Sequence, residues 1–284
     1  MSFRNNEDRV GARPSDAPPV EQISNKTDHE FSFATPTQFV DLPSKGKFYS
    51  EEHPLHNRDT IEIRFMTAKD EDILTSRTLL QKGIAIDRLL QNVLVDKTIN
   101  PDDLLIGDKN ALIVAARVTG YGAEYSARVT CPVCGTMTSH SFDLEKLNIH
   151  VEGEPEESGI SCEENGNISF ELPKSKVQVT VRPLTGNDEK KLLGIAEAKR
   201  KHKLPESSLT DQIRMMLVSV NGTSEANTIN SFIENMPASD SRYLRTTYAS
   251  VIPDVNLNQS FTCPACAVEE EVMVPFTTDF FWPK

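Results

Sequence analysis

The sequence predicts an α+β fold built from two related, helix-rich halves, each ending in a β-hairpin that carries a pair of cysteines. One observation behind this prediction is a repeated CPxC unit, at Cys131–Cys134 and at Cys263–Cys266. Their first cysteines are 132 residues apart (263 minus 131). The other is a repeated segment in which a strand-like run leads into a helix start, at 61–71 and 179–189. Helical periodicities fill the chain between these two signals.

The composition is that of a soluble globular protein with an acidic balance. Its 284 residues include 42 acidic and 30 basic side chains, for a net charge of -12. Such a charge argues against a broad surface for nucleic acid or anionic membranes, because binding there depends on Lys and Arg. No run reaches the roughly 20 apolar residues that span a bilayer, and residues 1–7 lack the apolar core of a signal peptide. We therefore expect a cytosolic protein.

Residues 1–33 are polar, contain three prolines and lack a sustained apolar period, which predicts a disordered N-terminal arm. Residues 34–147 are expected to form the first half. The segment 39–49 mixes apolar anchors with a Pro/Gly turn, so we expect an ordered, extended piece of chain that packs on the body.

The first half then alternates strand and helix patterns. Residues 60–65 have the period of a strand, and Thr67 with Asp70 resembles the start of a helix that runs to about Leu80. Apolar residues recur at helical spacing from Ile86 to Leu94. The predicted last elements are a helix from Asp108 to Gly120, a strand at 124–130 and a return strand at 136–144.

Residues 148–168, rich in Glu and Gly, are predicted to be an acidic linker before a second half at 169–284. In the second half the patterns predict a basic helix to about Lys203, a helix that includes Ile213, Met216, Leu217 and Val220, and a helix at 239–251. A return strand at 271–276 follows the second CPxC unit.

The two halves resemble each other in sequence. Residues 61–71 align with 179–189 at an offset of 118 (179 minus 61), with Arg, Thr, Asp and Glu identical. Both halves are predicted as strand, capped helix, further helices, strand, CPxC and strand. This shared order favours a duplication.

The cysteine pattern predicts a metal site. A reducing cytosol favours metal over disulfides for two CxxC units. Each unit offers two thiolates, and structural zinc takes four ligands. We therefore predict that Cys131, Cys134, Cys263 and Cys266 bind one structural zinc ion in a zinc ribbon. A site closed by four thiolates has no open position for a substrate.

Two alternatives to this shared site stay open. In the first alternative, one CPxC unit binds the metal together with His140, His150 or Cys162. In the second, the CxxC units are redox-active and the protein is a thiol oxidoreductase. A redox CxxC lies at a helix N-terminus, whereas strand-like sequence surrounds both units here. The fifth cysteine, Cys162, is expected to be incidental.

No catalytic motif is found in the sequence: it contains no P-loop, GxGxxG fingerprint, HExxH or GxSxG. We therefore expect a protein that is not an enzyme. The aromatic end at 280–283 is expected either to pack on the body or to insert into a partner.

Several blocks resemble a known family, the baseplate hub proteins of T-even-type contractile-tailed bacteriophages. They are Leu42–Gly46 with Phe48–Tyr49, Phe65–Leu74, Leu105–Leu112, Gly120–Gly122, both CPxC units and Asp279–Phe281. The resemblance covers roughly residues 36–284 and transfers no catalytic residue.

This resemblance implies a role in assembling the central hub of the tail baseplate in the cytoplasm of the infected cell, either as a hub component that stays in the virion or as an assembly factor. The implied partners are other phage baseplate hub and tail proteins, with no small-molecule substrate, nucleic acid or membrane. The alternative function is a zinc-ribbon adaptor or phage regulator that binds nucleic acid.

Overall fold

The computed structural model describes residues 35–150, 159–163, 166–275 and 280–281. The predicted disordered arm, the centre of the acidic linker and Trp282 lie outside these residues. The helices are α1 (Ala68–Thr75), α2 (Arg77–Gln81), α3 (Ala85–Val93), α4 (Ile106–Tyr121), α5 (Gly186–Lys201), α6 (Ser208–Met216), α7 (Ala226–Asn235) and α8 (Ala238–Val251). The strands are β1 (Thr37–Asp41), β2 (Thr60–Arg64), β3 (Glu124–Thr130), β4 (Met137–Asp143), β5 (Asn148–His150), β6 (Ser161–Cys162), β7 (Ile168–Glu171), β8 (Gln178–Val181), β9 (Leu217–Val220), β10 (Asp254–Asn256), β11 (Asn258–Thr262) and β12 (Glu269–Met273).

The mixture of helices and small antiparallel sheets confirms the predicted α+β class. β6 to β9 form a four-stranded sheet in chain order, and the other strands pair two by two, including β5 with β10. In the part of the chain that the structure describes, no helix is both long and apolar enough to cross a membrane.

A first hydrophobic cluster surrounds α3 and α4. Its buried members include Leu89, Leu90 and Val93 on α3, which follow the predicted helical spacing. The segment between β1 and β2 closes one side of this cluster. It is fixed by Asp108 on α4, whose carboxylate accepts hydrogen bonds from the Ser44 hydroxyl (2.6 Å) and the Tyr49 hydroxyl (2.7 Å).

The repeated segment has the same hydrogen-bond network in both copies. After β2, the Asp70 carboxylate accepts bonds from the Thr67 backbone N–H at 2.8 Å and from Arg64 at 2.7 Å. After β8, Asp188 accepts equivalent bonds from Thr185 at 3.1 Å and from Arg182 at 2.7 Å. Both aspartates are almost fully buried. The identical residues of the alignment therefore link a strand to the start of the next helix, twice.

Two helix predictions were wrong in detail. The helix expected from Thr67 to about Leu80 is two helices, broken at Ser76, whose ψ of 109° is extended. The helix expected to include Leu217 and Val220 ends at Met216, and these two residues belong to β9. Their spacing fits a helix, but the β-branched run pairs with β8 and buries both side chains in a second cluster.

That second cluster lies between the four-stranded sheet and helices α6, α7 and α8. The backbone connects it to the first cluster where α4 and α5 begin. Ile106 N–H donates to Leu184 O at 3.1 Å, and Gly186 N–H donates to Leu104 O at 2.9 Å. Beside this exchange, the buried Lys109 ammonium lies 3.0 Å from Asp87 and 3.0 Å from Glu189.

The end of the chain returns to the first cluster. Phe261 and Cys263, at the end of β11, and Val274, after β12, are buried there, although they belong to the second half in sequence. Phe280 and Phe281 are buried in the same cluster. For these two residues of the aromatic end, the expected packing on the body is therefore observed.

The two Asp-centred networks generate the first prediction. Burial raises the pKa of Asp70, but hydrogen bonds from Arg64 and Thr67 outweigh it and lower the pKa to about 2, and the pKa of Asp188 is likewise lowered to about 2. Their stabilisation is therefore full above about pH 4 and is lost as the pH falls through about 2. Replacing either aspartate by alanine should lower the free energy of unfolding at pH 7 by about 2–3 kcal/mol.

The measurement is urea unfolding at pH 7 and at a series of lower pH values. Asp72→Ala is the control, because Asp72 is an exposed residue of α1. An equal loss in the control, or a wild type whose stability does not fall below pH 4, would contradict the assignment.

Gly46 generates the second prediction. Its φ is 69°, and a Cβ there would lie 2.3 Å from Leu55 O. Gly46→Ala should therefore destabilise the protein by more than about 2 kcal/mol, from strain and a backbone clash together. Gly83 is the matched control, with a φ of 67° but no atom within 4 Å of the added Cβ. Gly83→Ala should cost about 1 kcal/mol, and equal thermal shifts for both variants would show that the clash is absent.

Candidate metal centre

Each CPxC unit forms the turn of a β-hairpin. In the β3–β4 hairpin, Cys131 N–H donates to Thr136 O at 2.9 Å, and Gly135 N–H donates back to Cys131 O at 3.0 Å. The β11–β12 hairpin repeats both bonds at the equivalent positions, from Cys263 to Val268 and from Ala267 to Cys263, each at 2.9 Å. The residue after the second cysteine has a positive φ in both turns, 70° at Gly135 and 57° at Ala267. The two turns are therefore alike in conformation.

The structure brings all four predicted cysteines together. Their Sγ atoms lie within 4.8 Å of one another. The Sγ atoms of Cys131 and Cys266 are 3.8 Å apart, and those of Cys134 and Cys263 are 3.7 Å apart. Each short distance joins one hairpin to the other, so the four thiols form a single group.

The two short distances match those of a tetrahedral metal site. Four sulfurs placed about 2.3 Å from a central ion lie about 3.8 Å from one another. A disulfide would need about 2.05 Å, and all five cysteines are free thiols. Cys131 and Cys263 are each 1% exposed, while Cys134 and Cys266 lie at the surface. The group could therefore hold one metal ion between the hairpins, with two of its ligands buried and two at the surface.

The environment of the thiols favours ionisation of some and opposes it for another. Hydrogen bonds from the Thr136 hydroxyl and backbone lower the pKa of Cys134 to about 6. The backbone N–H groups of Cys266 and Ala265 lower the pKa of Cys263. The Val268 N–H acts in the same direction on Cys266, but burial and the neighbouring thiols raise its pKa to about 12. A cation between the sulfurs would favour ionisation of all four thiols, because its charge offsets the repulsion between neighbouring thiolates.

Packing under the turns holds the two hairpins side by side. The His140 ring lies edge-on to Phe142 at 4.7 Å and to Phe261 at 5.3 Å between ring centroids. His140, which was an alternative ligand, is therefore part of the aromatic contact between the hairpins. Cys162 lies on β6, in the four-stranded sheet. The side chain of His150 lies outside the described residues.

Two side chains that the sequence analysis missed position the hairpins. The Gln259 amide donates to Asp143 O at 2.7 Å and accepts from Asp143 N–H at 3.2 Å, which joins β11 to the end of β4. The buried Arg117 donates to Gly122 O at 2.6 Å and Glu124 O at 3.1 Å, which fixes the chain between α4 and β3. The only sequence signal for Arg117 was a charged residue within the apolar run 111–118 of α4.

A comparison with known protein families gives a match over most of the chain. A family model described as T4 bacteriophage base plate protein matches residues 35–282. No curated protein and no solved structure matches the chain. The matched range includes both hairpins and all four cysteines of the group.

The geometry of the four thiols generates the third prediction. Removing one ligand, by Cys131→Ser or Cys263→Ser, should abolish tight metal binding and lower the melting temperature of both hydrophobic clusters together, because the ion joins one hairpin from each half of the chain. A thiol-competing chelator should have the same effect on the wild type.

The measurement combines elemental analysis with thermal unfolding of purified protein. About one ion per chain is expected, and Cys162→Ser is the matched control, since it removes a cysteine outside the group. Two ions per chain, or none with all thiols freely reactive, would overturn the shared site.

Proposed function

Because the chain belongs to the family of T4 bacteriophage base plate proteins, we propose that it acts in assembling the central hub of the baseplate, as a hub component or as an assembly factor. The observation that carries this proposal is the family match over residues 35–282. The narrower assignment to the hub depends on the sequence blocks that resemble baseplate hub proteins.

Those blocks contact one another in the structure, which supports a scaffolding role for them. Ser44 and Tyr49, from the first block, donate to Asp108 in the third block. Gly120, in the fourth block, lies so close to Met66 of the second that an added Cβ would be 2.8 Å from its sulfur. The blocks that carry the resemblance therefore describe how α4 is packed, and not a substrate pocket.

We propose that the function is not enzymatic. Asp108 is 0% exposed, and its hydrogen bonds are to Ser44 and Tyr49 of its own chain. The four cysteines would use all of their sulfurs on the ion. The Asp108 hydrogen bonds and the four cysteines would thus both serve to stabilise the fold.

We propose zinc as the ion, bound by Cys131, Cys134, Cys263 and Cys266. A set of four thiolates at tetrahedral spacing suits zinc, which takes this arrangement in structural sites. The bound ion would supply the positive charge that four adjacent thiolates require. Elemental analysis identifies the ion, and iron or copper in place of zinc would correct this assignment.

The partners that we propose are other phage baseplate hub and tail proteins, met during assembly in the cytoplasm of the host cell. Exposed apolar side chains on the two hairpins support contacts with proteins. Val133, Met137 and Met273 are 63%, 64% and 67% exposed. Exposed methionines adapt well to a partner surface.

The fourth prediction concerns phage assembly. A phage in which this gene carries Cys131→Ser or Cys263→Ser should yield fewer complete tails, because the hairpins that present these side chains lose their support. Pull-down of the tagged protein from infected cells should recover baseplate hub proteins, and the composition of purified tails would distinguish a component from a factor that leaves.

Cys162→Ser is again the control and should assemble normally. Complete tails from a phage that lacks the gene, together with a pull-down without baseplate proteins, would overturn the hub proposal. Retention on DNA that disappears as salt rises would instead favour the nucleic-acid adaptor. Neither result would bear on metal binding, which is measured on the purified protein.

A further inference from the structure

Helix α5 is unusually exposed for its composition. Among residues 189–201 none is buried, although they include Leu192, Leu193, Ile195 and Ala196. Leu193 is 61% exposed. Most helices in proteins gain their stability by burying an apolar face. In the part of the chain that the structure describes, the outer face of α5 is left largely uncovered, apart from the ion pair between Glu189 and Lys109.

Four residues form a stripe along this outer face: Glu189, Leu193, Ala196 and Arg200. Their spacing of four, three and four residues places them on one side of the helix. All four are exposed, and all four line a groove of about 720 Å³ between α5 and α6. The floor of the groove includes Ile106 and Leu184. The stripe is therefore open to a second helix.

The stripe is complementary to itself when one copy runs in the opposite direction. The two-fold axis would pass between Gly194 and Ile195, and it would place Glu189 opposite Arg200 and Leu193 opposite Ala196 of the second copy. Opposite charges then meet at both ends, and a large side chain meets a small one at both central positions. A parallel copy would instead place Glu189 on Glu189 and Arg200 on Arg200.

Both charged ends of the stripe are available for such contacts. The Glu189 side chain remains 48% exposed although its Oε2 lies 3.0 Å from Lys109, so its other oxygen can accept a second cation. Arg200 is exposed, and within the described residues it has no salt bridge that would compete. The helix therefore presents an acid near its start and an unpaired base near its end.

We propose that α5 is a homodimer interface, in which the α5 helices of two copies pack antiparallel through Glu189, Leu193, Ala196 and Arg200. A helix of another protein could also fill the groove, but it would need to match this order of charge and size. A second copy matches it at every position of the stripe. Leu204 and Leu209, which follow α5 in sequence, are also 55% and 50% exposed.

The fifth prediction tests this interface by sedimentation equilibrium of the full chain. One helix pair is a small interface, so the average mass should rise above the 31.7 kDa of one chain as the concentration goes from about 1 to about 100 µM. Physiological salt is used because it screens the repulsion between two chains of net charge -12. Leu193→Asp should remain monomeric, and Arg200→Glu should weaken the dimer.

Leu80→Asp is the matched control, since Leu80 is 43% exposed on α2. It should dimerise like the wild type. Circular dichroism checks that every variant keeps its helical content. A wild type that is monomeric throughout this range, or a Leu193→Asp variant that dimerises normally, would overturn the proposal.

Cysteine cross-linking tests the orientation, in a Cys162→Ser background that removes an exposed thiol. A mixture of Leu193→Cys and Ala196→Cys chains should cross-link faster than either variant alone, because these positions face each other only in the antiparallel pair. The background protein without an added cysteine gives the rate due to the exposed Cys134 and Cys266, which is subtracted from the others. Equal rates for the mixture and for Leu193→Cys alone would exclude the antiparallel arrangement.

Discussion

The meeting of four thiols from two distant hairpins is the constraint on which the rest of this structure depends. Cys131 and Cys263 are both buried in the first hydrophobic cluster, and the residues of the second cluster all lie between Cys134 and Cys263 in sequence. The short Sγ distances of 3.7 and 3.8 Å run between the hairpins, so one ion would close a loop that contains the whole second cluster. A covalent cross-link that closes a loop of about 100 residues removes about 4–5 kcal/mol of chain entropy from the unfolded state. A metal cross-link of this reach acts in the same direction. Gln259, Arg117 and the ring of His140 then set the positions of the hairpins that present the thiols.

A half-site in each half of the chain is what the predicted duplication would produce. Arg64 with Asp70 and Arg182 with Asp188 form the same network at the same distance of 2.7 Å, and both CPxC turns have the same pair of backbone hydrogen bonds. The halves differ in what covers them. The first cluster receives the second hairpin together with Phe280 and Phe281, whereas α5 of the second half is left with an exposed face. The first half is thus covered by the end of the chain, whereas α5 of the second half keeps an exposed surface.

The sequence could predict what local pattern and chemistry determine. The helical spacing around Leu89 and Leu90, the Thr67 and Thr185 helix starts and the choice of four cysteines all follow from short-range rules. The end of α6 at Met216 could not be predicted this way, because the pairing of Leu217 and Val220 with β8 outweighs their helical spacing. The bond from Gln259 to Asp143 spans 116 residues, and those from Ser44 and Tyr49 to Asp108 span 64 and 59. Such contacts depend on how elements pack, which no local pattern in one sequence contains.

The placement of the second hairpin has a mechanical consequence. With an ion bound, tension applied near Phe280 would pass through Cys263 and Cys266 to Cys131 and Cys134, and from there into the first cluster. The 128 residues between Cys134 and Cys263 would lie outside this path (263 minus 134, less one). The second cluster would therefore feel little of a pull on the C-terminal end, and its helices could shift or bind without loosening the chain. The metal would thus separate the part of the chain that bears such a force from the part that does not.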